Sequence, residues 1–235
     1  MAHRADIVTP AGTVRAVFTD RADGDFAIAS DPEALLDNRR SVVDRPWTWF
    51  HQVHGDQVVE VVRPGQWAGV EADGAVTTAA FAPLAIMTAD CAPVVLVGER
   101  GFAVVHAGWR GLVAGIVERA AHKLRRLGAG LPVASLVGPC INPEAYEFSA
   151  TELAVAAGRL GPTVRSETSW GTPALDVPAA VTAACRRAGW PAPSEQPRCT
   201  SEPGWFSHRS RAELERQATV VWLEPTGVAT DEGPA

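Results

Sequence analysis

The sequence predicts one α/β domain of the layered α+β kind, a mixed sheet with flanking helices, over residues 1–224, with a flexible C-terminal tail at 225–235. Three observations lead there. Short β-rich stretches recur through the first half of the chain. Capped or amphipathic helical stretches dominate the second half. The two kinds do not alternate strictly, which disfavours a doubly wound sheet. With 235 residues, 46% of them hydrophobic and 20% charged, the chain can bury one substantial core.

In chain order, "TVRAVFTD" reads as a strand. "DPEALLDNRRSVV" reads as a helix with Asp31 at the N-cap and Pro32 at its first position. "WTWFHQVHGDQVVEVV" is β-rich with a turn at Gly55-Asp56, and "DGAVTT", "PLAIMTA", "PVVLVG" and "FAVVHAG" are further strands. In "GLVAGIVERAAHKLRRLGAG", Val113, Ile116, Val117, Ala120, Ala121, Leu124 and Leu127 fall at helical spacing, and Gly128 ends the helix. "SLVG" is a strand, and "SATELAVAA" opens with a capping box of Ser149 and Glu152. "DVPAAVTAACRRAG" is a helix from Asp176 to Gly189 with Cys185 on its apolar face, and "ATVVWL" is a last strand.

A net charge of −6 gives no basic footprint for nucleic acid. No apolar run approaches the roughly 18 residues of a membrane span, and no secretory leader is visible, so the protein is expected to be cytoplasmic. The four cysteines, at 91, 140, 185 and 199, form no CxxC pair and read as free thiols or thiolate ligands. The oligomeric state is left open at this level.

Chemistry concentrates at strand ends. His54, Cys91 and His106 each close or follow a predicted strand, and a thiolate with two imidazoles is a donor set that suits Zn²⁺ while leaving a fourth position open. Their separations of 37 and 15 residues match no compact zinc finger. His51 is an alternative ligand in the same strand, but residues three apart on a strand face opposite ways unless the strand bends. Asp90 beside Cys91 is a strand-end carboxylate that needs partners. "HAGWRG", a small-residue turn opening a helix, could offer N–H groups and Arg110 to an anion. His208 and Arg209 follow the aromatic pair "WF", a combination able to stack a base and hold a polar substrate. Cys140 and Cys199 lie in turn-rich segments, and His122 reads as a solvated helix residue.

Taken together, "FTDR", "QVHGDQVV", "EADGAVT", "LAIMTADCAPVVL", "VVHAGWRGLVAGIV", "VGPCINPEAYEF", "FSHRSR" and "RQATVVWL" resemble the YfiH-like family, over roughly residues 12 to 224. Its members are known as multicopper polyphenol oxidase or laccase-domain proteins, purine nucleoside phosphorylases and peptidoglycan editing factors. The resemblance implies a zinc site on His54, Cys91 and His106. It also implies phosphorolysis of adenosine, inosine, guanosine and methylthioadenosine, with adenosine deamination as a related activity. Under that expectation Arg21, Arg110 and Arg209 contact phosphate or ribose, and the "WFSHR" turn with His208 contacts the base. In deamination Asp90 would serve as the carboxylate proton shuttle. The sequence departs from the family at "ADGDFA", where a Gly-Gly turn is common, and at Glu215, where glycine is usual. Copper binds the same donors, yet a laccase needs several histidine-rich copper sites, more than six histidines supply. Editing of cell-wall precursors is the remaining alternative, and the partner expected throughout is a small-molecule substrate.

Overall fold

The computed structural model describes residues 2–226. In chain order the elements are β1 (His3–Thr9), β2 (Gly12–Phe18), α1 (Pro32–Val42), β3 (Phe50–His51), β4 (Val58–Val61), β5 (Val70–Glu71), β6 (Gly74–Thr77), β7 (Leu84–Thr88), β8 (Ala92–Gly98) and β9 (Gly101–Ala107). Then follow α2 (Trp109–Ala114), α3 (Ile116–Arg126), β10 (Pro132–Val137), α4 (Ala150–Leu160), β11 (Arg165–Glu167), β12 (Pro173–Leu175), α5 (Val177–Arg187), α6 (His208–Arg211) and β13 (Gln217–Pro225). Of the tail expected at 225–235, residues 227–235 lie outside the described residues, and Pro225 still belongs to β13.

Two sheets stack face to face. One has the order β1-β2-β13-β7 and the other β10-β8-β9-β6-β4. The second is mixed, because β4 runs parallel to β6 while its other pairings are antiparallel. Strand alternation builds the layers. In β8, Val95 and Val97 face the other sheet with Phe102 and Val104 of β9, while Val94 and Leu96 turn to the helices with Ala103 and Val105. Both faces are covered, so β8 and β9 are buried along their whole length and read as continuous apolar runs. Each fully buried aliphatic side chain contributes about 1.5–3 kcal/mol. A one-residue slip would exchange the two faces of the hairpin, so its register is strongly specified.

Helices α2 to α5 cover the outer face of the five-stranded sheet, with Leu112, Ile116, Val117, Leu124, Leu153, Val181 and Cys185 in one core. Leu35 of α1, Phe26 and Trp47 cover the outer face of the four-stranded sheet. The expected caps are present at Asp31, which accepts from the Ala34 N–H, and at Asp176, which accepts from the Ala179 N–H. Ser149 accepts from the Glu152 N–H, but its hydroxyl donates to the Glu152 carboxylate, so the reciprocal half of the capping box is replaced.

One local expectation is corrected. The helix expected through "GLVAGIVERAAHKLRRLGAG" breaks at Gly115, whose φ of 90° caps α2 and starts α3. The strands flanking the Gly55-Asp56 turn do not pair with each other. β3 pairs with β5 and β4 with β6, so the turn crosses between sheets.

Candidate metal centre

The β8–β9 hairpin places two of the three candidate ligands. Its register opposes Ala92 to Ala107 and Pro93 to His106. Cys91, immediately before β8, therefore stands at the end of β9 where His106 lies. The third candidate arrives from the turn between β3 and β4. His54 has φ of 59°, in the left-handed region that non-glycine residues seldom occupy.

Asp73 holds that turn. It precedes β6, is fully buried, and accepts the backbone N–H groups of Val53 (3.2 Å), His54 (2.9 Å) and Gly55 (2.7 Å). The same carboxylate binds Nδ1 of His106 at 2.8 Å. One buried side chain thus fixes the backbone of one candidate ligand and the ring of another. Burial works against its charge, but the bonds from His106, Gly55 and Val53 outweigh it and hold the carboxyl below its ordinary range. With Nδ1 taken by Asp73, His106 offers Nε2 as its ligand atom.

The ligand atoms of His54, Cys91 and His106 all lie within 4.8 Å of one another, and among the described residues this is the one such group of three. His106 is buried and the His54 ring is exposed, edge-on to it at 4.7 Å. Burial resists ionisation of Cys91, yet His106 and His54 bring its thiol down to about 6, so a thiolate is present at neutral pH. A Cβ built on Gly108 would stand 2.9 Å from Cδ2 of His54 and 3.2 Å from Sγ of Cys91. The glycine of "HAGW" is therefore what lets the turn into α2 pass behind the ligands. A thiolate, two imidazoles, a carboxylate orienting one of them and one exposed side make a donor set that fits zinc, and copper by the same chemistry.

His51 stays outside the group. It is exposed on β3 and packs edge-on against Trp49 at 5.6 Å, because the bend at His54 separates the two histidines. His122 is exposed and Cys185 is in the core, as expected. Cys140 and Cys199 face each other across an isolated parallel bridge and are free thiols.

The residues expected to meet substrate divide. Arg209 stacks on Tyr146 at 4.6 Å and donates through Nη1 to the Glu147 carbonyl, and its Nε and Nη2 have no partner among the described residues. With Glu147, Phe148, Ser149, Trp170 and Ser210 it lines an open cleft of about 620 Å³. Arg110 is exposed over the Trp109 ring, with Glu152 at 3.7 Å. Arg21 is turned the other way. It donates to the carbonyls of Pro203 and Trp205 and to Glu213, so it braces the 203–213 segment rather than facing a ligand. His208 is exposed with Nδ1 on the Glu213 carbonyl, and Trp205 and Phe206 are buried, so neither aromatic of "WFSHR" is free to stack a base. Asp90 is buried, with φ of 96°, and its carboxylate accepts from Thr200, Ser207 and the Arg209 N–H.

Sequence reasoning missed Asp73, Gly108 and Tyr146. The signal for Asp73 was a carboxylate set directly before the short strand "GAVT". The phenol of Tyr146, the single tyrosine, is pushed up to about 12, first by burial and then by the neighbouring Cys91, with Arg209 opposing. Tyr146, whose ring packs against Phe148 of the cleft at 5.3 Å, thus lies within electrostatic reach of the thiolate.

Residues 7–224 match the family described as multi-copper polyphenol oxidoreductase laccase. A purine nucleoside phosphorylase of Mycobacterium tuberculosis strain H37Rv is 34% identical over 242 residues, covering 94% of this chain and 96% of the relative. One of Streptomyces coelicolor is 35% identical over 224 residues, covering 91% and 92%. Among solved structures, the DUF152 protein of Neisseria meningitidis is similar with a TM-score of 0.77 at 24% identity, covering 95% of this chain and 99% of that one. The hypothetical protein YfiH of Bacillus licheniformis gives 0.78 at 20% identity, covering 92% and 97%. By sequence and by fold, the chain belongs to the laccase-domain family with the YfiH/DUF152 fold.

Proposed function

We propose that this protein is a zinc-dependent purine nucleoside phosphorylase acting on nucleosides such as adenosine, inosine, guanosine and methylthioadenosine. The observation that carries the reading is the convergence of His54, Cys91 and His106 within 4.8 Å, together with Arg209, which has unpartnered donors and whose backbone N–H is bonded to Asp90, the neighbour of Cys91. Relatives that match 91–94% of the chain bear that enzyme's name.

In this reading zinc would be held by His54, Cys91 and His106 and would supply Lewis acidity. The chain's own groups do the rest. Asp73 keeps His106 in the Nδ1–H tautomer. Nε and Nη2 of Arg209, with the exposed Arg110, offer charge-assisted bonds to phosphate. Trp170, exposed at the cleft, offers aromatic surface to a purine. A phosphate oxygen attacks C1′ of the ribose, the glycosidic C–N bond breaks, and the base leaves with the bonding electrons and takes up a proton.

Adenosine deamination takes second place. It calls for a carboxylate free to shuttle protons, and Asp90 already accepts from three donors. Multicopper oxidation calls for several metal groups, whereas the described residues bring together one. A cytoplasmic setting suits the four free cysteines. No helix among the described residues is long and apolar enough to cross a membrane. The net charge of −6 favours small-molecule over nucleic-acid partners.

The test is a product assay on metal-quantified protein, with adenosine and inosine incubated with and without phosphate. Phosphate-dependent release of free base and ribose 1-phosphate is expected. Phosphate-independent inosine from adenosine would instead assign deamination. Neither product from zinc-loaded protein would overturn both readings in favour of editing of nucleotide-linked cell-wall precursors.

A further inference from the structure

We propose that Asp90 is a positioning residue for phosphate binding: its buried carboxylate clamps the 199–211 segment against the metal-ligand loop and so holds Arg209 at the cleft. The phosphate part of this inference rests on the phosphorylase reading.

The clamp is built from groups far apart in sequence. Oδ1 of Asp90 accepts the hydroxyls of Thr200 at 2.6 Å and Ser207 at 2.7 Å, and Oδ2 accepts the backbone N–H of Arg209 at 2.6 Å. The Asp90 carbonyl accepts the Ile141 N–H at 2.8 Å, which ties the same residue to the segment preceding Tyr146. Directionality is fixed at Ser207. Its oxygen accepts the Ser210 N–H at 3.1 Å, and its one hydroxyl proton goes to Asp90. The backbone of Arg209 is thereby set from one side while its Nη1 is set by the Glu147 carbonyl at 2.7 Å and its guanidinium plane by Tyr146. What remains of its donor fork, Nε and Nη2, is what a phosphate would meet. Asp90 tolerates φ of 96° because its carbonyl and both carboxylate oxygens are engaged. The residue next to the metal thiolate therefore acts on substrate through a segment more than a hundred positions away, rather than on protons at the metal.

Asparagine tests this selectively. Asp90→Asn can keep one oxygen for the two hydroxyls, but its amide nitrogen cannot accept from Arg209 N–H. Expected for D90N are unchanged zinc content, a roughly tenfold higher phosphate KM with kcat and nucleoside KM changed less, and faster hydrogen exchange at the amides of 207–210. R209A is expected to raise the phosphate KM as well, and D90N is expected to add nothing to it, the non-additivity of two residues acting through one contact. If D90N does not fold, Ser207→Ala removes a donor from the other partner and is read in the same way. The inference is overturned if exchange at 207–210 is unchanged. It is equally overturned if phosphate KM stays put while kcat collapses and the pH–rate profile loses a limb, the mark of a proton carrier. Should wild-type protein show no phosphorolysis, that reading fails by itself, and the exchange measurement still decides whether Asp90 clamps the segment.

Discussion

Two buried carboxylates flank the candidate metal-ligand group, and they serve different walls. Asp73 accepts three consecutive N–H groups around His54 and the ring of His106, so its donors belong to candidate ligands and their turn. Asp90 is the neighbour of a candidate ligand, yet its side-chain donors come from Thr200, Ser207 and Arg209, none of them in the candidate group. Sequence adjacency to a ligand and chemical service to it are thus separate properties. The first wall is a rigid corner of the five-stranded sheet. The second is an irregular segment carrying a four-residue helix, held by side chains.

If that contrast is right, Asp73→Asn gives the largest effect. The amide would present a donor to a ring of donors, and the left-handed turn at His54 would lose its anchor. A loss of about 10–100-fold in zinc affinity and about 2–4 kcal/mol in stability is expected, measured by metal competition and thermal unfolding. Near-normal zinc affinity in D73N would collapse the distinction between the two walls. The next effect is at Gly108, where the Cβ of alanine meets His54 and Cys91. Gly108→Ala should lower metal affinity about tenfold while the helices and sheets stay intact by circular dichroism. An unperturbed site there would mean that the turn into α2 does not crowd the ligands.

A smaller effect sharpens the second wall. Burial opposes ionisation of Glu213, but the Ser207 N–H, Arg21 and Arg211 together hold its carboxyl down to about 2, from an ordinary 4.5. A depressed carboxyl contributes stability that is present above 4.5 and lost as pH falls toward 2. Acid should therefore loosen the 203–213 segment over that window, seen as rising proteolytic sensitivity. Glu213→Gln should show that sensitivity already at neutral pH and flatten the dependence. The smallest effect is at Arg110, whose side chain is 63% exposed and reaches Glu152 only at 3.7 Å. Arg110→Ala should raise the phosphate KM about threefold while stability moves by less than about 0.5 kcal/mol. A change in zinc content with no change in phosphate dependence would remove Arg110 from phosphate binding.

The three candidate ligands were legible because each is a metal-binding residue type beside a strand, and the strands declare themselves by apolar runs. The arginines were not separable in the same way. Arg21 and Arg209 look alike in sequence, each in a short polar stretch, but one is consumed by carbonyls and Glu213 and the other keeps free donors. "WFSHR" read as an aromatic binding turn, while folding buried its two aromatic rings.

By itself the sequence determined what is encoded within about one helical turn or strand: the caps at Asp31, Ser149 and Asp176, the apolar runs of β2, β8, β9 and β13, and the apolar face around Cys185. Those signals act between residues two to four positions apart, so the chain displays them directly. Only the tertiary structure decided that His54 and not His51 joins Cys91, that Asp73 orients His106, and that Asp90 reaches Ser207. These pairings span 33 residues for Asp73 with His106 and 117 for Asp90 with Ser207. They are set by sheet register and by which buried carboxylate each donor must find, a constraint that exists only once the layers have packed and water has been excluded.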